Sequence, residues 1–278
     1  MRRRNKLSAL REEFSRICRI ILVERRLPGR CYQLYFSFLN RLGIRFATVK
    51  SRNGFVIKGY THCFYMFYEI WGKQDYDIPG INLTKGTVVI DIGANQGFFA
   101  LYAASKGATV YAFEPCIENF EVLKWNVETN GLSDVVKIFN VAVTGQQGHV
   151  ELFVGVDATG QVVSGNPSTG SAHRTGEHVL TRSIQSVTLD SLLREFPIQR
   201  CDFIKMDCEG AEYDILSNTS NESFGKIEAI SIECHDNRMR EAVTILKNAA
   251  FDILHEKYGE TGILKAVKQY SAQPESVC

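Results

Sequence analysis

The chain has 278 residues, 45% hydrophobic and 23% charged, which is the balance of an ordinary globular protein with room for one large domain or a domain with an appendage. A net charge of +1 gives the whole molecule no pull toward nucleic acid or a membrane. None of the eight cysteines forms a Cys-x-x-Cys pair, so the expectation is buried reduced thiols rather than a disulfide framework or a zinc site.

Residues 1–30 depart from the charge balance, with ten Lys/Arg against three Glu. Leu7, Leu10, Phe14, Ile17, Ile21 and Leu22 recur at helical spacing, so 6–25 reads as a helix that Pro28-Gly29 ends. Its basic face suits a solvated cover over the main domain, or peripheral contact with a membrane or an acidic partner. The run Ile20–Val23 is too short for a signal or a membrane span, which places the protein in the cytoplasm. A second helix is expected over 31–42, closed by Gly43. Thr48–Ile57 alternates around Asn53-Gly54, a hairpin signal. The aromatic cluster Phe64–Trp71 is either core or the roof of a pocket. Residues 1–80 thus read as a helical and hairpin extension, and 81–278 as the main domain.

From Thr87 strand-like runs occur at 87–92, 108–113, 135–141, 201–207, 227–234, 251–256 and 262–268. Helical stretches lie at 97–106, 117–130, 210–218 and 237–249. Alternating strands and helices predict an α/β fold, a largely parallel sheet with helices on both faces. The last two strands, five residues apart, should form an antiparallel pair. Phe98–Ala104 reads as an amphipathic helix. Val150–Val154 looks like an extra strand, and Gly155–Arg182, rich in Gly, Ser and Thr, like a long loop: a flap near the site, or a disordered stretch. Ser186–Leu193 reads as a short strand feeding a helix, capped by Thr188 or Asp190.

The chemistry gathers at strand ends. Val88–Gly97 runs β-branched residues into Asp91 and an Asp-x-Gly-x-x-x-Gly turn. Gly93 and Gly97 allow close backbone approach, and the turn offers N–H donors at a helix N-terminus. Glu114, 23 residues beyond Asp91 at the end of the second strand, is where an acid chelates ribose hydroxyls. The pair suits a nucleoside with an amino-acid tail. Asn140 and Ala142 end the third run and would line an adenine edge. Asp207 and Glu209 share a face at the end of the run 201–207, and Glu233 and His235 repeat the relation on the next strand. Glu209 and Glu212 also suit a helix N-terminus. The four strand-end groups could act as a general base, form a charge-balanced polar rim, or hold a hard metal, in that order of preference.

Val88–Phe99, Ala112-Phe-Glu-Pro115, Thr188-Leu-Asp-Ser-Leu192 and Ile204-Lys-Met-Asp-Cys-Glu-Gly-Ala-Glu212 together resemble the FkbM-type S-adenosylmethionine-dependent methyltransferases, in the family's order and over roughly 85–265. The resemblance implies a class I methyltransferase fold: seven strands, the last antiparallel. It implies O-methylation of a hydroxyl on a sugar or natural product, with S-adenosyl-L-methionine as cofactor. By position, Asp91, Gly93, Ala94, Asn95 and Gly97, with Phe98 beside them, would hold the methionine part. Glu114, with Pro115, would bind the ribose, and Asp207 would sit by the methyl group. Asp207, His235 and Glu209 are then the catalytic candidates, with no metal required. The partner is a small molecule or saccharide and not nucleic acid; the sequence sets no oligomeric state. Two other readings stay open. One is a catalytically silent interaction module. The other is a nucleotide-dependent oxidoreductase, against which the missing Gly-x-Gly-x-x-Gly argues.

Overall fold

The computed structural model describes residues 29–51, 53–156, 162, 167–169, 178–196, 198, 200–235, 237–257 and 262–269. The basic helix expected over 6–25 and the middle of the expected 155–182 loop lie outside the described residues.

Helix α1 (Gly29–Arg41) leads into an antiparallel hairpin, β1 (Phe46–Lys50) and β2 (Val56–Tyr60), with Val49 opposite Ile57. The aromatic stretch is a short helix, α2 (Phe64–Phe67), that widens into a π-helical turn over Tyr68–Lys73. Seven strands then form the main sheet: β3 (Val88–Ile92), β4 (Thr109–Phe113), β5 (Val136–Phe139), β9 (Phe203–Met206), β10 (Ala229–Cys234), β11 (Phe251–Lys257) and β12 (Gly262–Lys268). Their order is β11-β12-β10-β9-β3-β4-β5. All neighbours run parallel except β12, which is antiparallel to both β10 and β11. This is the seven-stranded class I methyltransferase sheet that the sequence motifs imply. Strand order reverses between β3 and β9, and a crevice opens there at the carboxyl ends of the strands.

Helices α3 (Phe98–Ser105) and α4 (Ile117–Thr129) follow β3 and β4; α5 (Leu189–Glu195), α6 (Glu212–Ser217), α7 (Asn221–Gly225) and α8 (Met239–Asn248) belong to the second half of the chain. Successive strand residues point to opposite faces. Val89, Val110, Phe203 and Ala229 accordingly enter one core, and Ile90, Ile204 and Ile230 the other. Thr188 caps α5 through a reciprocal pair with Ser191, whereas Asp190 accepts from the Ser220 N–H at α7.

Three expectations need correction. Helix α3 is not amphipathic: Phe98–Ala104 are all buried. Phe64 and Phe67 pack on Phe98, Tyr76 on Phe99, and Trp71 on Tyr102, so the extension covers what would have been a solvent face. The stretch 155–182 is also not one loop. β7 (Gly148–Val156) and β8 (His178–Val187) take both its ends into an antiparallel ribbon, with β6 (Ala142–Val143) parallel to β8. Residues 178–182 are mostly exposed, so no apolar alternation marks them as strand. The third run is likewise shorter than 135–141, since the chain leaves the main sheet after Phe139 to reach β6.

Among the described residues no helix is long and apolar enough to cross a membrane. Cys63, Cys116, Cys201 and Cys234 are buried free thiols, and Cys208 is half-buried.

Candidate active site

A cavity of about 410 Å³ opens at the carboxyl ends of β3, β4, β9 and β10, within the usual range for small-molecule sites. On the β3 side its wall is Gly93, Ala94, Asn95 and Phe98. The turn's amides are already engaged: the N–H groups of Gly93 and Ala94 donate to the Phe113 carbonyl, and that of Gly97 to the Ala94 carbonyl. Gly93 has φ +71°, and a Cβ there would strike the Asp207 carbonyl. A Cβ on Gly97 would strike Leu123. Both glycines therefore serve the close approach of the chain to itself. Neither Gly97 nor Asp91 reaches the cavity wall. Asp91 is wholly buried, and neither of its oxygens accepts a hydrogen bond, although Lys205 Nζ lies 3.4 Å away. Burial raises its pKa, against the opposing charge of Lys205.

On the β4 side Glu114 and Pro115 line the cavity, with Ala142 and Val143 beyond them. Glu114 accepts from the Asn95 N–H at 2.7 Å and from the Cys116 N–H at 2.8 Å, one on each oxygen. A carboxylate has about four acceptor positions, so each oxygen keeps capacity for a ligand hydroxyl. Burial pushes Glu114 up to about 7, and the two N–H donors restrain it. Asn140 stays off the wall: its amide donates to the Glu114 and Pro115 carbonyls and fixes the backbone that carries the acid.

The richest chemistry stands at the ends of β9 and β10, where Asp207, Glu209, Glu233 and His235 all face the cavity. Glu209 has a left-handed φ of +54° and Gly210 follows at +106°, which delays α6 to Glu212. Backbone strain of this kind gathers at functional sites. Glu212 accepts from the N–H groups of Cys208 and Gly210 and meets His235 Nδ1 at 3.0 Å. His235 Nε2 stands 3.5 Å from Glu209. Burial opposes charge on His235, but the bond and charge of Glu212, with Glu209, outweigh it and push the imidazole up to about 10. Burial and the charge of Asp207 raise Glu209 to about 8 and Glu233 to about 7. Asp207, Glu209 and His235 each offer an atom within 4.8 Å of the others, close enough to be drawn around one divalent cation. In the structure His235 Nε2 faces Glu209 and its Nδ1 faces Glu212.

Two groups went unread in the sequence. Lys205, almost fully buried, donates to the Gly93 carbonyl at 2.7 Å and stands 3.6 Å from Asp207. Its trace is a lone cation in the apolar run Phe203–Met206. Tyr76, from the extension, brings its hydroxyl within 3.0 Å of Asp207 and 2.7 Å of Glu233. No local pattern marks it, since its partners lie far along the chain.

The aromatic stretch is both core and roof. Phe64 is fully buried, while Tyr65, Met66, Glu69 and Ile70 line the cavity. Pro167 and Thr169 close the far side, and the Ser168 hydroxyl donates to the Glu209 carbonyl at 2.7 Å.

Comparison with known proteins follows the same lines. The family described as "Methyltransferase FkbM domain" matches residues 91–254, more than half of the chain. The 31-O-demethyl-FK506 methyltransferase FkbM of Streptomyces tacrolimicus is 25% identical over 223 residues, which are 69% of this chain and 83% of that protein. The antimetabolite synthetase AmbE of Pseudomonas aeruginosa is 27% identical over 204 residues, 63% of this chain but 10% of that much longer protein. Among solved structures, the METTL16 methyltransferase domain aligns at a TM-score of 0.47 and 16% identity, over 85% of this chain and 92% of that one. That likeness adds nothing to the topology already described.

Proposed function

Because the chain belongs to the FkbM-domain methyltransferase family, we propose that it moves a methyl group from S-adenosylmethionine to a hydroxyl of a sugar or other natural product. The observation that carries this reading is the placement of Glu114. A buried carboxylate with spare acceptor capacity faces the cavity from the end of β4, and the carboxylates at the ends of β9 and β10 line the same cavity.

The donor set suits the cofactor. Glu114 would take the ribose hydroxyls, Gly93–Asn95 and Phe98 the methionine side, and Ala142 with Val143 the base. The carboxylates around Asp207 favour a sulfonium cation nearby. When bound, the cofactor supplies an activated methyl group; the protein's task is alignment, which supports effective molarities of up to about 10⁵–10⁸ M. Asp207 is the group for the acceptor's proton, because Lys205 beside it supports its charge. His235 orients the site: an imidazole held up to about 10 by Glu212 carries its proton at neutral pH and steadies Glu209 rather than acting as a base.

The test is incubation of the full chain with labelled S-adenosylmethionine and a cell extract, followed by identification of the labelled product. Asp207→Ala should abolish labelling while S-adenosylhomocysteine still binds. Full labelling by that variant removes Asp207 from the mechanism, and label on nitrogen or carbon rather than oxygen overturns the O-directed reading.

A further inference from the structure

Tyr76 poses a counting problem. Its one hydroxyl lies 2.7 Å from Glu233 Oε2 and 3.0 Å from Asp207 Oδ2, in a buried setting. A phenol carries one proton, and ionised carboxylates only accept. With both acids charged, the hydroxyl can satisfy one of them, and the other short contact sets lone pair against lone pair. All three oxygens are satisfied when the group holds one additional proton. Two arrangements then exist: Asp207 donates to Tyr76 while Tyr76 donates to Glu233, or Glu233 donates to Tyr76 while Tyr76 donates to Asp207.

We propose that Tyr76 and Glu233 form a proton relay behind Asp207, which takes up the proton released by the methyl acceptor. This rests on the methyl-transfer reading above. The acceptor oxygen forms a bond to the methyl carbon, the carbon–sulfur bond breaks, and its electron pair stays on sulfur. The hydroxyl proton passes to Asp207. Glu233 gives the proton it holds at rest to solvent; Asp207 then gives its new proton to Tyr76 as Tyr76 gives its own to Glu233, which restores both the charged Asp207 and the protonated Glu233.

The surroundings favour that direction. Lys205 Nζ lies 3.6 Å from Asp207, is seated over the Tyr76 ring at 5.5 Å, and supports negative charge at the Asp207 end. Around Glu233 the charged groups on the cavity are Lys205 from β9, Asp207 and Glu209 from the loop that follows it, His235 just past the end of β10, and Glu69 from the π-helical turn, which interacts with Asp207. Its register partner on β12, Ile263, is apolar. The extension thereby supplies a part of the active site, from a residue outside the matched 91–254 segment.

One test needs no acceptor. Infrared difference spectra of the full chain, recorded as pH is raised through neutrality, report protonated carboxyl groups by their C=O stretch. Of the carboxyl signals that the wild type loses, one should be missing from Glu233→Gln, and Tyr76→Phe should displace the midpoint of that one. In turnover of an extract fraction that the wild type labels, Tyr76→Phe should lower kcat by at least about 10²-fold, the low end of what positioned acid–base groups contribute. Affinity for S-adenosylhomocysteine should stay at the wild-type level, since Phe keeps the ring. A carboxyl signal untouched by Glu233→Gln, or wild-type kcat in Tyr76→Phe, overturns the relay. If Tyr76→Phe melts early, Glu233→Gln carries both measurements. Failure of the wild type to bind S-adenosylhomocysteine overturns the methyltransferase reading instead, and the infrared result stands apart from it.

Discussion

His235 shows how one neighbour decides what a side chain can do. Its imidazole lies between two acids, Glu212 at 3.0 Å and Glu209 at 3.5 Å. Burial alone would strip its proton; the bond and charge of Glu212 hold that proton in place. Glu212 shows the counterpart, since burial would raise it and the His235 contact turns the shift downward. A folded-state pKa raised from 6.5 to about 10 gives stabilisation that is complete below the unfolded value and fades as pH climbs through the folded one. Glu212→Gln should therefore bring the imidazole back toward its ordinary range and flatten the alkaline loss of stability. NMR titration of the ring together with urea unfolding at rising pH checks both; an unmoved imidazole would show that Glu212 is not its anchor. The sequence put Glu212 at a helix N-terminus, and it does satisfy the Cys208 and Gly210 amides there. Its grip on a ring on the neighbouring strand was hidden, because strand order is needed to bring the two together.

At the scale of elements, the extension is fastened by side chains that act as backbone. The outer edge of β2 presents the N–H groups of Val56, Lys58 and Tyr60, which donate to Asn130, Asn126 and Gln96. The Asn126 amide returns bonds to the Lys58 and Gln96 carbonyls, both at 2.8 Å, and Asn126 is fully buried. It therefore ties hairpin, α4 and the Gly93–Gly97 turn in one group. Asn126→Ala strands three partners, the buried Gln96 carbonyl and the part-buried Lys58 N–H and carbonyl, and should cost about 2–4 kcal/mol, since each unsatisfied group costs about 1–3 kcal/mol with partial relaxation. Urea unfolding measures it, and a loss under about 1 kcal/mol would mean that water replaces the amide. The contrast with the rest of the fold is physical. Strands β3 and β9 are buried on both faces, so continuous apolar runs ending in a turn reveal them. In the β7–β8 ribbon the sequence marks Val150–Val154 as strand, but β8 lies against solvent over much of its length and its start shows no such run. In the candidate site, Glu114 and Asp207 were legible because they end strands. Tyr76 was not, because its contacts span 131 and 157 residues.

For the whole molecule, cofactor binding and folding should be linked through Glu114. Its pKa is raised from 4.5 to about 7, chiefly by burial. The sign follows from linkage: the empty protein keeps this contribution to stability below the unfolded value and loses it as pH rises through about 7, where a buried carboxylate must charge. Ribose hydroxyls donate to the charged form and offset that cost. S-adenosylhomocysteine at 100 times its Kd stabilises a folded protein by about 2.7 kcal/mol. In a chain of this size that is a rise in Tm of roughly 5–10 °C. The rise should be larger above pH 7 than below it, because the carboxylate that receives the hydroxyls is then already ionised. Glu233 and Glu209 titrate in the same region, so the pH trend alone does not isolate Glu114. Glu114→Ala supplies the control: its own Tm falls as the Asn95 and Cys116 amides lose their acceptor, but its ligand-induced rise should be under half that of the wild type and nearly independent of pH. Thermal melts of both proteins, with and without S-adenosylhomocysteine on either side of neutrality, decide it. An equal, pH-dependent rise in the variant would take Glu114 out of the binding site and leave its burial a matter of folding alone.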